Sequence, residues 1–280
     1  MMMGRFPLLL TILLLAVATS AQRIAILQPV ADGQVESFSS SVRSLLAPQF
    51  KIIDDAMADS AYRSVTVDDA FNLSTMEARR IGEVIGVNNF IILRSAVQRR
   101  ASLDRPAYFE GYAIAYIVES RTGQLLAWFI ESVEGSNEKD AAAKLLGRVD
   151  ELSKNVGDAL KVNRFTYSRD PKFTDVPAEG SPAAKGLRTP VPYRRIRPEY
   201  TELASMYGVK ATVDIEVDID ADGSIARTSI ERWAGFGLED SVEKTVRSMN
   251  WRPAMRDGKP LPMRVLLRYN FTKIEKDEAP

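Results

Sequence analysis

A two-domain α+β protein is the fold class this sequence predicts: an α/β sandwich followed by a small ββαβ domain. Three observations predict it. Short apolar runs and amphipathic helical segments interleave up to about residue 160, a Pro-containing basic stretch follows, and two alternating strands flanking a turn and a helical stripe close the chain. The 280 residues are 45% hydrophobic and 26% charged, which suits about two domains at roughly 100 to 200 residues each. Residues 22–160 carry 15 basic and 19 acidic side chains, 161–200 carry 9 and 4, and 201–280 carry 12 and 14. The expected domains are therefore 22–160 and 193–280, with 161–192 as a linker.

Composition narrows the chemistry. Lys plus Arg and Asp plus Glu both total 37, so no overall basic field draws the chain to nucleic acid. There is no His and no Cys, which removes zinc, haem-type and thiol chemistry and the Ser-His-Asp triad. Carboxylate, Lys, Tyr or Ser-Lys chemistry is all that is left. No cofactor or metal is expected.

The elements follow in order. Phe6 to Ala18 is almost wholly apolar, with Arg5 before it and Thr19-Ser20-Ala21 after it. That is the pattern of a secretory signal over residues 1–21, giving a mature start near Gln22; a retained anchor is the alternative. Arg23 to Pro29 reads as a buried strand, Ser37 to Leu46 as a helix, and Phe50 to Asp54 as a strand. Ser74 and Glu77 form a capping box for a helix over Thr75 to Ile85, which Gly86 ends. Asn89 to Arg94 is the next strand. Tyr112 to Glu119 and Leu125 to Val133 form a hairpin around Arg121-Thr122-Gly123-Gln124. Asn137 caps a last helix through Leu160, giving the order βαβαβββα. Pro171, Pro177, Pro182, Pro190, Pro192 and Pro198 then mark an extended, semi-rigid spacer.

In the last part, Val213, Ile215, Val217 and Ile219 alternate with Asp214, Glu216, Asp218 and Asp220, the signature of a strand with one face on a core and one in water. Asp222-Gly223 turns the chain into a strand over Ile225 to Trp233. Leu238, Val242, Val246 and Met249 lie at helical spacing, Pro253 stops that helix, and Arg256 to Pro260 is a loop. Met263 to Phe271 places Val265, Leu267, Tyr269 and Phe271 on one side.

Two resemblances arise from these residues. Glu77 to Leu93 and the hairpin Tyr116 to Ala127 are similar to the α/β domain shared by the curli secretion protein CsgG and the amino-terminal part of TolB, which implies a periplasmic interaction domain. The chain lacks the lipid-anchoring Cys of CsgG and any pair of long amphipathic strands for a pore, so channel function is not carried over. Pro198 to Ala204, Val213 to Gly223, Trp251-Arg252-Pro253-Ala254 and Asp257-Gly258-Lys259-Pro260 resemble the carboxy-terminal domain of TonB-family energy transducers. Thr201 stands where the family has Pro, and Ala211 where it has Gly. The resemblance implies a periplasmic module that pairs its last strand with a segment of an outer-membrane TonB-dependent receptor or another envelope protein by β-strand addition. Arg264, Leu266, Arg268 and Asn270 are the expected contacts beside that edge, with Tyr200 in the lead-in segment. The bland reading of such arginines is protection of an edge strand from aggregation. A homodimer is left open, and no nucleic-acid partner is expected.

Other patterns have plainer readings. Asp218 to Gly223 fits the start of a calcium loop, but its twelfth position is Ser229 rather than Glu. Ser241 to Lys244 and Ser136 to Lys139 fit Ser-x-x-Lys without the companion motifs, so a Ser-Lys hydrolase is a remote alternative and the protein is expected not to be an enzyme. Gly235-Phe236-Gly237 is a loop, and Arg194, Arg195 and Arg197 beside Tyr193 suit contact with phosphate or lipid heads, although three such charges on a linker are ordinarily solvated. A membrane-anchored transducer supporting outer-membrane transport is the main alternative function, with an inner-membrane anchor facing the periplasm in place of a free periplasmic protein.

Overall fold

The computed structural model describes residues 22–30, 33–102, 105–162 and 168–272; the apolar stretch at 6–18 and the expected cleavage position lie outside them. The first unit contains β1 (Arg23–Leu27), α1 (Gly33–Leu46), β2 (Lys51–Ile52), α2 (Asp55–Arg63), α3 (Thr75–Ile85), β3 (Asn89–Ser102), β4 (Arg105–Glu119), β5 (Leu125–Gly135), α4 (Glu138–Leu146) and α5 (Val149–Lys161). Its sheet has the order β2-β1-β3-β4-β5. β2 and β3 flank β1 in parallel, and β3, β4 and β5 run antiparallel. β1 is apolar at every position after Arg23 because helices cover both sides of it. On one side Ile24, Ile26, Ile91 and Leu93 pack against Phe38, Val42, Leu152 and Val156 of α1 and α5.

α3 has the predicted boundaries because both ends are locally encoded. The Ser74 hydroxyl accepts from the Glu77 N–H at 3.2 Å, the Glu77 carboxylate accepts from the Ser74 N–H at 2.7 Å, and Gly86 closes the helix at φ 72°. α2 escaped the sequence pattern because it buries only Ala58 and so shows no apolar stripe. The helix expected from Asn137 to Leu160 is two helices broken at Gly147. The break lets α4 press onto the sheet through glycines: a Cβ on Gly135 would lie 2.3 Å from the Ala141 nitrogen, and one on Gly111 2.8 Å from the Ala141 oxygen.

The second unit contains β6 (Thr174–Asp175), β7 (Leu187–Arg188), β8 (Val191–Pro192), α6 (Glu202–Met206), β9 (Ala211–Ile219), β10 (Ile225–Arg232), α7 (Leu238–Arg247), β11 (Trp251–Arg252), β12 (Ala254–Arg256), β13 (Lys259–Leu261) and β14 (Met263–Phe271). Its main sheet has the order β10-β9-β14-β6, with α7 against the apolar face. The Arg256 to Pro260 loop is a hairpin turn between β12 and β13, with Asp257 and Gly258 at φ 51° and 78°. The Pro-containing stretch is not a free spacer. β6 pairs with β14, β7 with β12 and β8 with β11, so residues 174–192 are laid onto the second unit. Proline restricts a strand to short edge pairings, and each of these strands has two residues.

One hydrophobic cluster joins the units. It runs from Leu73, Ile81 and Phe90 through Tyr116 to Trp233, Leu238 and Val265. Trp233 stacks on Tyr116 with ring centroids 5.7 Å apart, and its indole N–H donates to the Gly123 carbonyl at 3.2 Å. The Asn72 amide donates to the Trp233 and Thr212 carbonyls at 2.8 Å each and accepts from the Thr212 N–H at 2.9 Å. Gly235, Phe236 and Gly237 hold consecutive positive φ angles of 73°, 57° and 75°. A Cβ on Gly235 would lie 2.8 Å from the Tyr116 ring, and Phe236 stacks on Trp128 at 5.6 Å. What reads as a loop before a helix is therefore the wedge that seats one unit on the other.

Two outcomes follow. Trp233→Ala is expected to cost about 3–5 kcal/mol, and urea denaturation should show a single transition shifted as a whole, because the cluster spans both units; two resolved transitions in the parent would refute this. Glu77 also bridges the junction, with Arg232 at 3.1 Å. Burial opposes its ionisation, but the Ser74 N–H and hydroxyl and the Arg232 charge outweigh it and hold its pKa below the ordinary 4.5. A depressed carboxylate stabilises above its unfolded pKa and loses that contribution as pH falls through its folded one. Glu77→Gln is expected to cost about 1 kcal/mol at neutral pH and to flatten the loss of stability below pH 4.5, read from denaturation midpoints across that range.

Candidate partner-binding edge

The alternation along β9 sends Val213, Ile215, Val217 and Ile219 to the core, as expected. The opposite face is a correction. Asp214, Glu216 and Asp218 are 5%, 7% and 1% exposed, so the acidic face does not lie open to water. The register explains the cover: β14 sets Arg264 opposite Asp218 and Arg268 opposite Asp214. Arg264 holds the Asp218 carboxylate from Nε at 2.6 Å and Nη2 at 3.2 Å, and Arg227 Nε reaches it from β10 at 2.8 Å. Arg268 grips Asp214 with Nε and Nη2, both at 2.8 Å. Buried carboxylates persist only when paired in this way.

Glu216 faces Leu266, which offers no charge. Its hydrogen-bond partner comes from outside the sheet, Arg169, just ahead of β6, while Arg264 Nε stands 3.8 Å from its other oxygen. Burial raises the Glu216 pKa and Glu231 adds to the rise, against Arg169 and Arg264. One Glu216 oxygen is buried without a hydrogen bond among the described residues. Lys172 pairs with Asp220, and Arg169 also reaches Asp175 at 3.2 Å. These contacts tie the strand β6 down as a strap.

The five expected site residues divide accordingly. Arg264 does not flank an open edge. It is 4% exposed and the strap covers its edge, where the Val176 N–H donates to the Arg264 carbonyl at 3.1 Å. Tyr200 is also committed: its hydroxyl donates to the Val209 carbonyl at 2.7 Å, and its ring stacks on Phe271 at 6.2 Å. Leu266 is 58% exposed. The Arg268 side chain is accessible although paired, and Asn270 is exposed, accepting from the Thr212 hydroxyl at 2.9 Å.

Backbone directions define what is open. N–H and C=O groups alternate sides along a strand, so Leu266, Arg268 and Asn270 point theirs the way Arg264 does, away from β9. Beyond the strap no strand pairs with them among the described residues. The other edge, β10, is met at Arg232 by a bridge to Ser74 and at Glu231 by the Thr75 hydroxyl at 2.6 Å. The strap and its arginine were missed because a two-residue strand carries no periodicity to read.

Breaking the buried pair and the surface pair should differ. Arg264→Ala is expected to cost about 3–5 kcal/mol because Asp218 is left buried with less charge against it, and Arg268→Ala about 1 kcal/mol or less because its guanidinium is solvated and Arg232 Nε still lies 3.6 Å from Asp214. Urea midpoints of the two variants test this; equal costs would contradict it.

No curated protein matches this sequence. Among solved structures, a lipoprotein of Neisseria meningitidis aligns at 14% identity and a TM-score of 0.33, covering 48% of this chain and 96% of its own. The carboxy-terminal domain of LpoB from Salmonella enterica aligns at 10% identity and a TM-score of 0.28, covering 42% and 87%. The TonB carboxy-terminal domain of Pseudomonas aeruginosa aligns at 19% identity and a TM-score of 0.28, covering 35% and 97%. Residues 196–272, which hold α6, β9, β10, α7 and β14, match the family model of the Gram-negative bacterial TonB protein C-terminal, and over that segment the chain is TonB-like.

Proposed function

We propose that this is a cell-envelope interaction module, facing the periplasm, that takes up an extended segment of an outer-membrane protein as an added strand on β14. The observation that carries this reading is the run of outward backbone groups at Leu266, Arg268 and Asn270, free of any strand among the described residues. An incoming strand gains main-chain hydrogen bonds there, and the side chains beside the edge select it. The exposed Leu266 offers an apolar contact, and Arg268 and Asn270 a polar one. The strap bounds the site, since Met263 and Arg264 are already paired. The TonB-like segment supports an envelope protein as the kind of partner. No helix among the described residues is long and apolar enough to cross a membrane. The first unit, locked to the second through Trp233, fixes the orientation in which the edge is presented.

The test is titration of the chain from Gln22 onward with extended peptides copied from the periplasmic segments of outer-membrane receptors. Binding should protect the amide protons of Leu266, Arg268 and Asn270 from exchange. Leu266→Pro removes one outward donor without touching a bond to β9, so it is expected to weaken binding roughly tenfold while leaving the circular dichroism spectrum unchanged. Absence of binding by any such peptide at high micromolar concentration would sink the reading.

A further inference from the structure

One segment outside the docking edge carries a single sign of charge. Between Gly180 and Pro198 the chain has no acidic residue and five basic ones, including Arg194, Arg195 and Arg197. Those three arginines are exposed and make no ion pair with a described residue. Ordinary protein surfaces intersperse both signs. Pairing of β8 with β11 sets Arg252 opposite Val191, and the ladder continues as the Tyr193 N–H donates to the Asn250 carbonyl at 2.9 Å. Val191, Tyr193 and Arg252 therefore share one side of the ribbon. The Arg252 guanidinium lies 4.8 Å from the centre of the Tyr193 ring.

Apolar groups stand out of the same strip. Tyr193 is 65% exposed, Val191 42% and Ile196 40%. Cations alone would suit any polyanion. Aliphatic and tyrosine side chains alternating with arginine instead suit a boundary where an apolar body sits among phosphates and a charged head reaches water. We propose that the strip from Val191 to Arg197, with Arg252, seats this protein on the phosphate headgroups of an anionic lipid surface. Each arginine near such a surface contributes about 1 kcal/mol, so three of them amount to roughly 100-fold in affinity. The attraction should weaken steeply with salt, since exposed charges are screened within about 10 Å at 0.1 M.

The test uses the chain from Gln22 onward, which keeps every described residue and excludes the apolar amino-terminal stretch. It is sedimented with vesicles of phosphatidylcholine alone or of phosphatidylcholine with about one-third phosphatidylglycerol. Binding should require the phosphatidylglycerol and fall as salt rises. The triple variant Arg194→Gln, Arg195→Gln, Arg197→Gln should bind roughly 100-fold more weakly, and Tyr193→Ser with Ile196→Ser several-fold more weakly with the salt dependence retained. All of these side chains are exposed, and unchanged denaturation midpoints would confirm that the variants fold. Equal sedimentation with both vesicles, or a triple variant that binds like the parent, would overturn the proposal. So would displacement by inorganic phosphate at low millimolar concentration, or tighter binding to duplex DNA or an acidic peptide than to the vesicles.

Discussion

The second unit hangs on the register between β9 and β14. Side chains alternate strictly along a strand, so a slip of one residue would turn Asp214, Glu216 and Asp218 into the core and Val213, Ile215 and Val217 out of it. In the observed register Asp218 and Asp214 face Arg264 and Arg268, four residues apart on β14, with Glu216 facing Leu266 between them, and the valines face α7. That alignment decides three things together: which arginine is buried, which backbone groups point outward, and where a passing segment finds a carboxylate with no arginine directly opposite it. Arg169 seats on Glu216 because, of the three acids, that one alone faces a leucine instead of an arginine. The strap is thus a consequence of the register.

The junction adds a second constraint. Trp233, Phe236 and the Asn72 amide join the units through stacked rings and saturated hydrogen bonds. The Tyr207 hydroxyl extends the contact by donating to Glu110 at 2.8 Å, and burial with that hydrogen bond pushes its pKa up to about 12, so it stays a donor at any physiological pH. An aromatic residue in left-handed backbone, as Phe236 is at φ 57°, is costly unless the surroundings over-determine it. Here the cost is met by burial shared between the units, which makes their relative orientation part of the fold.

How much of this was legible in the sequence depended on whether the signal was local. The capping box at Ser74 and Glu77, the Gly86 terminus and the alternation over Met263 to Phe271 lie within a few residues, and these boundaries match the structure. α2 and the short strands β6, β7 and β8 were not legible, because one buried alanine or a two-residue pairing leaves no period. The break at Gly147 depends on helix α4 meeting Gly111 and Gly135 across the sheet, a contact no window along the chain contains. Of the expected binding residues, Leu266, Arg268 and Asn270 sit beside the open edge. Arg264 is instead buried on Asp218, 46 residues away, and the Tyr200 hydroxyl is held by Val209, 9 away, contacts that no short window of sequence contains.

Arg268 shows why the edge-protecting and partner-binding readings of these arginines are compatible. An open strand with unpaired groups invites a second copy of itself, and an accessible charge on the strand penalises that pairing because like charges would meet. The same charge is already compensated by Asp214 in the free protein, so a foreign strand incurs little cost for approaching it. The ion pair therefore discriminates between self and partner only if self-pairing brings two Arg268 side chains together, as antiparallel pairing centred on that residue does. Centred on Leu266 instead, self-pairing would place two exposed leucines face to face, which burial favours. The strap closes that register: a second β14 centred on Leu266 would need the edge around Arg264 as well, and β6 already occupies it. On the proposed reading, the edge left open is thus short, and charged where an antiparallel second copy centred on Arg268 would meet a like charge.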